Sequence, residues 1–399
     1  MLNLNIILGL LFVLSLILVL VLSSIDKRKK RILKTIPSVS FIIPCYNDAD
    51  HIRKTIKSIY DITGKNSDVI IINDNSTDNS KKTLNLLWNK YRFRLINNSK
   101  NLGKSETLNR HAGLAKNDII IFVDADVIVN KKSLFDALAR LQDQKVGAVS
   151  CPYIPNNKGI FPLMQHIEYN MLSLVVGSYN IFSAISLWGG FIVIKKKAFI
   201  DAKKFSINAI IEDMDLAFKL NKKGWKVEQS FFPVSTHTPN TFKAWYKQKI
   251  RWSSGGLQCF ITHYKIWIKN PLHIFFLASY CLFMFLAVLS LVKNIIFFDN
   301  VIKYFSFVSN TVSLLTSLKL TGLLYGAYIV KDFFWMIAFT FLSIPYVLPL
   351  ISSFKRINLI FLVIPFSIIY IPMFTIVTTL GGINYLFRIK ELRKKVKAW

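Results

Sequence analysis

The sequence predicts an α/β domain on a mostly parallel, doubly wound sheet, set between hydrophobic ends that read as transmembrane α-helices. Three observations carry this. Short β-rich runs alternate with helical stretches from about Pro37 to Gly256; charge-free apolar runs flank that region; and the chain is 52% hydrophobic with 32 Phe among 399 residues, too apolar for an ordinary soluble protein.

Residues 1–25 carry no charge, and Ile6 to Leu22 is almost wholly aliphatic, enough at about 1.5 Å per residue to cross a bilayer core. The basic cluster Lys27, Arg28, Lys29, Lys30, Arg31 and Lys34 follows this run instead of preceding it. That favours an uncleaved anchor over a signal peptide, for which only Ser23-Ser24 would supply small residues. The positive-inside rule then places the N-terminus outside and the domain after Lys27 in the cytosol of a multi-pass cell-membrane protein.

Within 37–256 the expected strands are Val39–Pro44, Val69–Asn73, Arg92–Asn97, Ile119–Val123 and Val146–Cys151. Between the first two, Ala49 to Tyr60 places Ile52, Ile56 and Ile59 at helical spacing, so the opening is a βαβ unit. Sheets of this kind take ligands at the carboxyl ends of their strands. Residues 257–269 mix apolar and basic side chains and read as an interfacial helix. The region 270–387 then offers charge-free stretches at 270–292, 333–354 and 357–387, with a further candidate, 304–330, interrupted by Lys319. These make three to four spans; counting the interrupted one returns the basic tail 388–399 to the cytosol.

The formal charge of +29, from 51 Lys and Arg against 22 Asp and Glu, admits nucleic acid or an anionic lipid bilayer as partner. With spans present, and no zinc-finger spacing or RNA-binding signature, the bilayer is expected and no nucleic acid. A transporter is disfavoured because the spans show no repeated halves and few charges. Cys45, Cys151, Cys259 and Cys281 have no metal-ligand or disulfide spacing and read as reduced structural thiols.

Five motifs carry chemistry. Asp124 and Asp126 follow the strand Ile119–Val123; in continued extended geometry both carboxylates point to one side, as hard ligands for Mg²⁺ or Mn²⁺ on a diphosphate. By itself Asp-x-Asp equally describes a solvated turn. Asp74 follows the strand Val69–Asn73 in a polar turn where Ser76 or Thr77 can cap the next helix; a cap does not require Asp74, which could accept hydrogen bonds from a nucleobase or ribose. Pro44, Tyr46 and Asp48 lie at another strand end, where an ordinary βα loop is the plain alternative. Gln248, Arg251 and Trp252 share one face of a helix, suited to a phosphate and a sugar ring, or alternatively to lipid. Glu212, Asp213 and Asp215 begin a helix over Asp215–Leu220, where acids also favour the macrodipole; a carboxylate near an acceptor hydroxyl would be a general base.

Together, in this order, these motifs resemble the processive family 2 glycosyltransferases, the membrane synthases of cellulose, chitin, hyaluronan and poly-N-acetylglucosamine. The resemblance covers roughly Pro37 to Gly256. It implies a GT-A nucleotide-diphospho-sugar transferase fold, a UDP-sugar donor, a carbohydrate acceptor and a divalent metal. On that resemblance Pro44, Tyr46, Asp48 and Asp74 contact uridine, Lys104 in Asn101-Leu102-Gly103-Lys104 approaches the nucleotide-sugar, and Asp124 and Asp126 serve diphosphate and metal, with Asp126 the direct ligand. Asp213 becomes the catalytic base; Gln248, Arg251 and Trp252 match the hallmark of processive synthases; Gly189 and Gly190 line the acceptor site. Asn73-Asp74-Asn75 and Ile211 depart from the common pattern, which leaves the sugar open, with N-acetylglucosamine favoured. A single-sugar transfer to a polyprenyl phosphate or other lipid is the competing enzyme reading.

Overall fold

In a computed structural model of the chain, the described residues are 17–19, 21–25, 33, 37–64, 67–268, 274, 303, 306, 361–362 and 365–387. The chain divides into two compact units, Met1–Phe12 with Ile274–Thr379, and Val13–His273 with Leu380–Trp399. Among the described residues no helix is long and apolar enough to cross a membrane. The runs expected to span it at 1–25, 270–292, 304–330 and 333–354, the basic tail 388–399 and Cys281 lie wholly or mostly outside those residues. Of 357–387, a π-helical turn Phe366–Tyr370 leads into a helix Ile371–Phe387.

The larger unit is built on a seven-stranded sheet. Its strands are β1 (Val39–Cys45), β2 (Asp68–Asn73), β3 (Arg94–Asn97), β4 (Ile119–Val123), β5 (Val146–Ser150), β7 (Phe191–Lys195) and β8 (Lys226–Gln229), in the order β3-β2-β1-β4-β7-β5-β8. A second, two-stranded sheet pairs β6 (Tyr153–Pro155) with β9 (Val234–Thr236). β1 is buried at every position, as a strand covered on both faces must be, and β1 to β4 pair in parallel. β7 alone runs antiparallel, between β4 and β5. The sheet is therefore mostly parallel, as expected.

The helices used below are α1 (Ile52–Thr63), α2 (Ser80–Tyr91), α3 (Lys104–His111), α4 (Lys131–Leu141), α5 (Ile160–Ser178), α6 (Lys196–Asp201), α7 (Glu212–Lys222), α8 (Phe242–Thr262), α9 (Tyr264–Trp267) and α10, the Ile371–Phe387 helix. Ile52, Ile56 and Ile59 of α1 are buried in the main core with Leu84 and Leu87 of α2 and Leu134, Leu138 and Leu141 of α4. The 3.6-residue spacing thus does turn one face inward. β3 starts later than expected because Arg92 closes α2 in left-handed backbone (φ 57°).

The interfacial helix expected at 257–269 is not a separate element. Residues up to Thr262 continue α8 without a break at Gly256, and only α9 follows. The reason is packing: Cys259, Phe260 and Ile266 contact Met214 and Phe218 of α7, and His263 stacks on Phe218.

Candidate active site

All the motifs meet at one edge of the sheet. The loops after β1, β2 and β4 leave from the carboxyl ends of parallel strands, where ligand sites form. Antiparallel β7 adds a segment to the same edge: Phe191 pairs with Val123, so Gly189-Gly190, just before β7, lies beside Asp124. The Asp124 N–H donates to the Gly190 carbonyl at 2.9 Å.

A half-buried charge cluster forms there. Lys104, the first residue of α3, places Nζ 2.6 Å from Asp124 Oδ1, 3.2 Å from Glu212 Oε1 and 3.3 Å from the Gly189 carbonyl. Gly103 launches that helix with φ +81°, a left-handed conformation that suits glycine. Burial pushes the Asp124 carboxyl up to about 6, with Lys104 pulling the other way and Asp126 adding repulsion. Burial likewise raises Asp213, reinforced by its neighbour Glu212. Glu212 ends below its ordinary value because Lys104 and Arg251 outweigh its desolvation. One carboxylate of the adjacent pair is held ionised while the other is made a better proton acceptor, a division of labour typical of acid–base sites.

Gly189 is packed on the Asp213 carboxylate. A Cβ built at Gly189 would stand 2.4 Å from Asp213 Oδ2, and one at Gly190 would meet the Tyr153 hydroxyl at 2.9 Å. Gly189→Ala is therefore expected to push Asp213 aside and lower turnover about 10²-fold, the size of effect a displacement of about 1 Å produces. Steady-state kinetics beside a melting curve checks this; unchanged turnover in a folded variant would contradict it.

The two carboxylates of Asp124-Ala125-Asp126 do not point to one side. The chain turns instead of staying extended, with the Val127 N–H donating to the Asp124 carbonyl at 3.1 Å and Ala125 buried beneath. Asp124 faces Lys104, whereas Asp126 accepts from Thr236 Oγ1 at 2.8 Å. Asp126 lines a 310 Å³ cavity with His51, Lys54, Asn156, Asn157 and His237, and the His51 and His237 rings are 4.7 Å apart. Burial and Asp48 raise the Asp126 carboxyl, so negative charge there is poorly compensated. Among the described residues no three His, Cys, Asp or Glu are grouped to hold a metal. The donor set still fits Mg²⁺ or Mn²⁺, which commonly take one or two carboxylates and complete their shell with substrate phosphate.

The nucleotide side differs from expectation at two places. Asp74 is fully buried, and its carboxylate accepts from Leu102 N (3.0 Å), Gly103 N (2.9 Å) and Asn98 Nδ2 (2.6 Å). It holds the loop that delivers Lys104 instead of opening toward a base. Nor do Ser76 and Thr77 cap α2, which begins at Ser80. Ser76 Oγ accepts from Asn47 N, and Thr77 N donates to Asn47 Oδ1 at 2.8 Å, stitching the β1 and β2 loops together. Pro44 is the penultimate residue of β1, buried and in register with Ile72; Tyr46 and Asp48 follow half-exposed, and Asp48 Oδ1 lies 3.2 Å from His51 Nδ1.

Helix α8 supplies the remaining wall. Thr241 caps its start by accepting from Ala244 N. Gln248 and Trp252 are half-buried and Arg251 is exposed, its charge acting on Glu212 and Asp213. Gln248 Oε1 is buried without a protein hydrogen-bond partner, so its acceptor is open to a water or to a polar ligand. The helix is fixed to the approach of α7 by Gln258, whose Oε1 accepts from Ile210 N at 2.8 Å, and by Gly255, where a Cβ would strike Ile211 at 2.7 Å. Asp215 faces away from the cluster, accepting from His263 Nε2 at 2.8 Å.

Glu212 stands in the acidic motif of the sequence without a role of its own, and its pairing with Lys104 appears only in the structure. Thr236, His51, His237 and Tyr153 arrive through β6, β9 and the α1 turn, which no motif marks.

Comparison with known proteins agrees with this geometry. Residues 40–202 match the family described as Glycosyl transferase family 2. A poly-β-1,6-N-acetyl-D-glucosamine synthase of Staphylococcus aureus (strain MSSA476) is 27% identical over 259 residues, 63% of each chain. One from Staphylococcus epidermidis is 26% identical over 59% of this chain and 58% of its own. The match thus spans less than two thirds of these relatives' length. Among solved structures, a mannosyltransferase from Pyrobaculum calidifontis in complex with GDP-Man and Mn²⁺ aligns over 97% of this chain and 98% of its own with a TM-score of 0.60. At 17% identity that likeness shows the GT-A fold alone. Over residues 40–202 the chain thus matches Glycosyl transferase family 2, and over 63% of its length it is similar to a poly-β-1,6-N-acetyl-D-glucosamine synthase.

Proposed function

We propose that this protein is an inverting, processive glycosyltransferase that polymerises N-acetylglucosamine from its UDP donor at a cell membrane. The observation that carries the reading is the half-buried Asp213 beneath Gly189, one residue from a Glu212 that is ion-paired to the same Lys104 as Asp124. The relatives named for poly-N-acetylglucosamine synthesis support the choice of sugar. Membrane location rests on the apolar runs of the sequence.

Asp213 accepts the proton of an acceptor hydroxyl, whose oxygen attacks the anomeric carbon as the bond to UDP breaks. Lys104 and Arg251 stand where negative charge grows on the departing diphosphate. Asp126 would hold the divalent cation, which when bound would neutralise that charge further. Asp74 acts through the loop it clamps, and Pro44, Tyr46 and Asp48 flank the base and ribose. Trp252 stacks on the terminal acceptor sugar, and the unpartnered Gln248 Oε1 accepts one of its hydroxyls, which favours a saccharide acceptor over a lipid.

Because Asp213 is raised by burial and by Glu212, it works only once deprotonated. Turnover is therefore expected to rise with pH across a midpoint above the ordinary carboxylate range, and Glu212→Gln to move that midpoint down. A pH–rate profile of both proteins checks the order. For the function itself, the membrane-reconstituted chain is incubated with a panel of UDP-sugars, measuring UDP release and product mass. Long N-acetylglucosamine polymers support the reading; one sugar on a lipid, or no UDP release, rejects it.

A further inference from the structure

A buried ion pair beside the catalytic cluster has no part in the proton transfer. Lys249 lies between Gln248 and Arg251 yet is fully buried, with Nζ 2.6 Å from Glu168 Oε1 of α5. So dry a pair adds little stability once its desolvation is counted, and a positional role accounts for it better. The same Nζ stands 4.1 Å from the centroid of the Trp252 ring and 5.3 Å from that of Tyr169. The Tyr169 and Trp252 rings are 6.0 Å apart, inclined by 38°. The Tyr169 hydroxyl donates to Gln165 Oε1 at 3.3 Å, while Gln165 Nε2 donates to the Pro239 carbonyl at 2.7 Å.

Gln165, Glu168 and Tyr169 fall at i, i+3 and i+4 and so form one stripe of α5. That stripe meets Gln248, Lys249 and Trp252 of α8, two of which belong to the acceptor face. We propose that Glu168 and Lys249 are positioning residues for the acceptor saccharide: Glu168 fixes the Lys249 ammonium, and Lys249 holds the Trp252 indole by a desolvated cation–π contact in the orientation that stacks on a hexosamine ring. The inference rests on the proposed function for its ligand, but its geometric part does not. A cation on the indole keeps a long side chain from swinging as successive sugars pass, so the pair acts on acceptor use and product length while leaving the donor alone.

The test uses the full chain in reconstituted membranes. In the double variant Glu168→Gln with Lys249→Met the pair becomes neutral, so no unpaired charge is left buried. The KM for an N-acetylglucosamine oligosaccharide is expected to rise about tenfold, as loss of a desolvated cation–π contact allows. Products shorten, and the KM for UDP-N-acetylglucosamine stays within about twofold. Glu168→Asp, which keeps both charges, shifts the acceptor KM less, by about threefold. Without any sugar, amide exchange at 248–252 quickens in the double variant. If exchange and acceptor KM both match the wild type, the pair does not position Trp252. If the wild type transfers no sugar at all, the proposed function fails, and the exchange comparison still decides the geometric part.

Discussion

Asp213→Asn is expected to lower transfer by about 10²- to 10⁴-fold, the range that removal of a positioned general base produces, while leaving the fold and donor binding intact. The substitution keeps the shape against Gly189, where the spacing is tightest, so packing changes little. Asn can still accept the hydrogen bond that Met214 N donates to Asp213 Oδ1 at 2.7 Å, but it cannot take a proton. Glu212→Gln separates the two acids, because Glu212 is paired to Lys104 at 3.2 Å and its neutralisation leaves that ammonium to Asp124, 2.6 Å away, without deleting the base. A folded Asp213→Asn protein with near-normal transfer would assign the proton chemistry elsewhere.

The second large effect concerns Asp126. Asp126→Asn keeps the contact with Thr236 Oγ1 but removes the carboxylate charge that Asp126 brings to the cavity. Turnover is expected to fall by two orders of magnitude or more, on the order of the loss of one electrostatic element acting on the leaving group. The metal concentration for half-maximal turnover should rise, and chelation should silence the wild type reversibly, with Mg²⁺ or Mn²⁺ restoring it. His237→Ala, at the same cavity, probes a residue that no motif marks: a shift in metal dependence would place it at the cation, and unchanged dependence would leave it a wall of the cavity. Activity that survives chelation would show that Lys104 and Arg251 suffice.

Much of the fold is legible because its central strands are unambiguous. β1, β2 and β4 are runs of Ile, Val and Phe bounded by polar turns, and their burial on both faces removes the alternation that would confuse them with surface strands. β7 is less legible. Phe191-Ile-Val-Ile-Lys is as apolar as the others, but its antiparallel placement depends on partners far away in sequence. That placement brings Gly189 to Asp213, a contact that spacing alone does not contain. β6, β8 and β9 are three or four residues long, too short for a period to register.

The site shows the same division. Residue types at strand ends point to the right edge of the sheet, since topology sends those loops there. The direction of each side chain depends on local turns. The turn after β4 separates Asp124 from Asp126, and the loop 98–103 folds over Asp74 so that its carboxylate serves backbone N–H groups. Lys249 is the sharpest case. In sequence it belongs to a basic, surface-like stretch, and only the approach of α5 buries it against Glu168.

The stereochemistry of the new glycosidic bond tests the central claim most directly. One carboxylate acting as base in a single displacement inverts the anomeric centre, and UDP-N-acetylglucosamine presents that centre as α. Proton NMR of the product formed by the full chain is expected to show β linkages throughout. An α-linked product would contradict direct displacement, and with it the role assigned to Asp213.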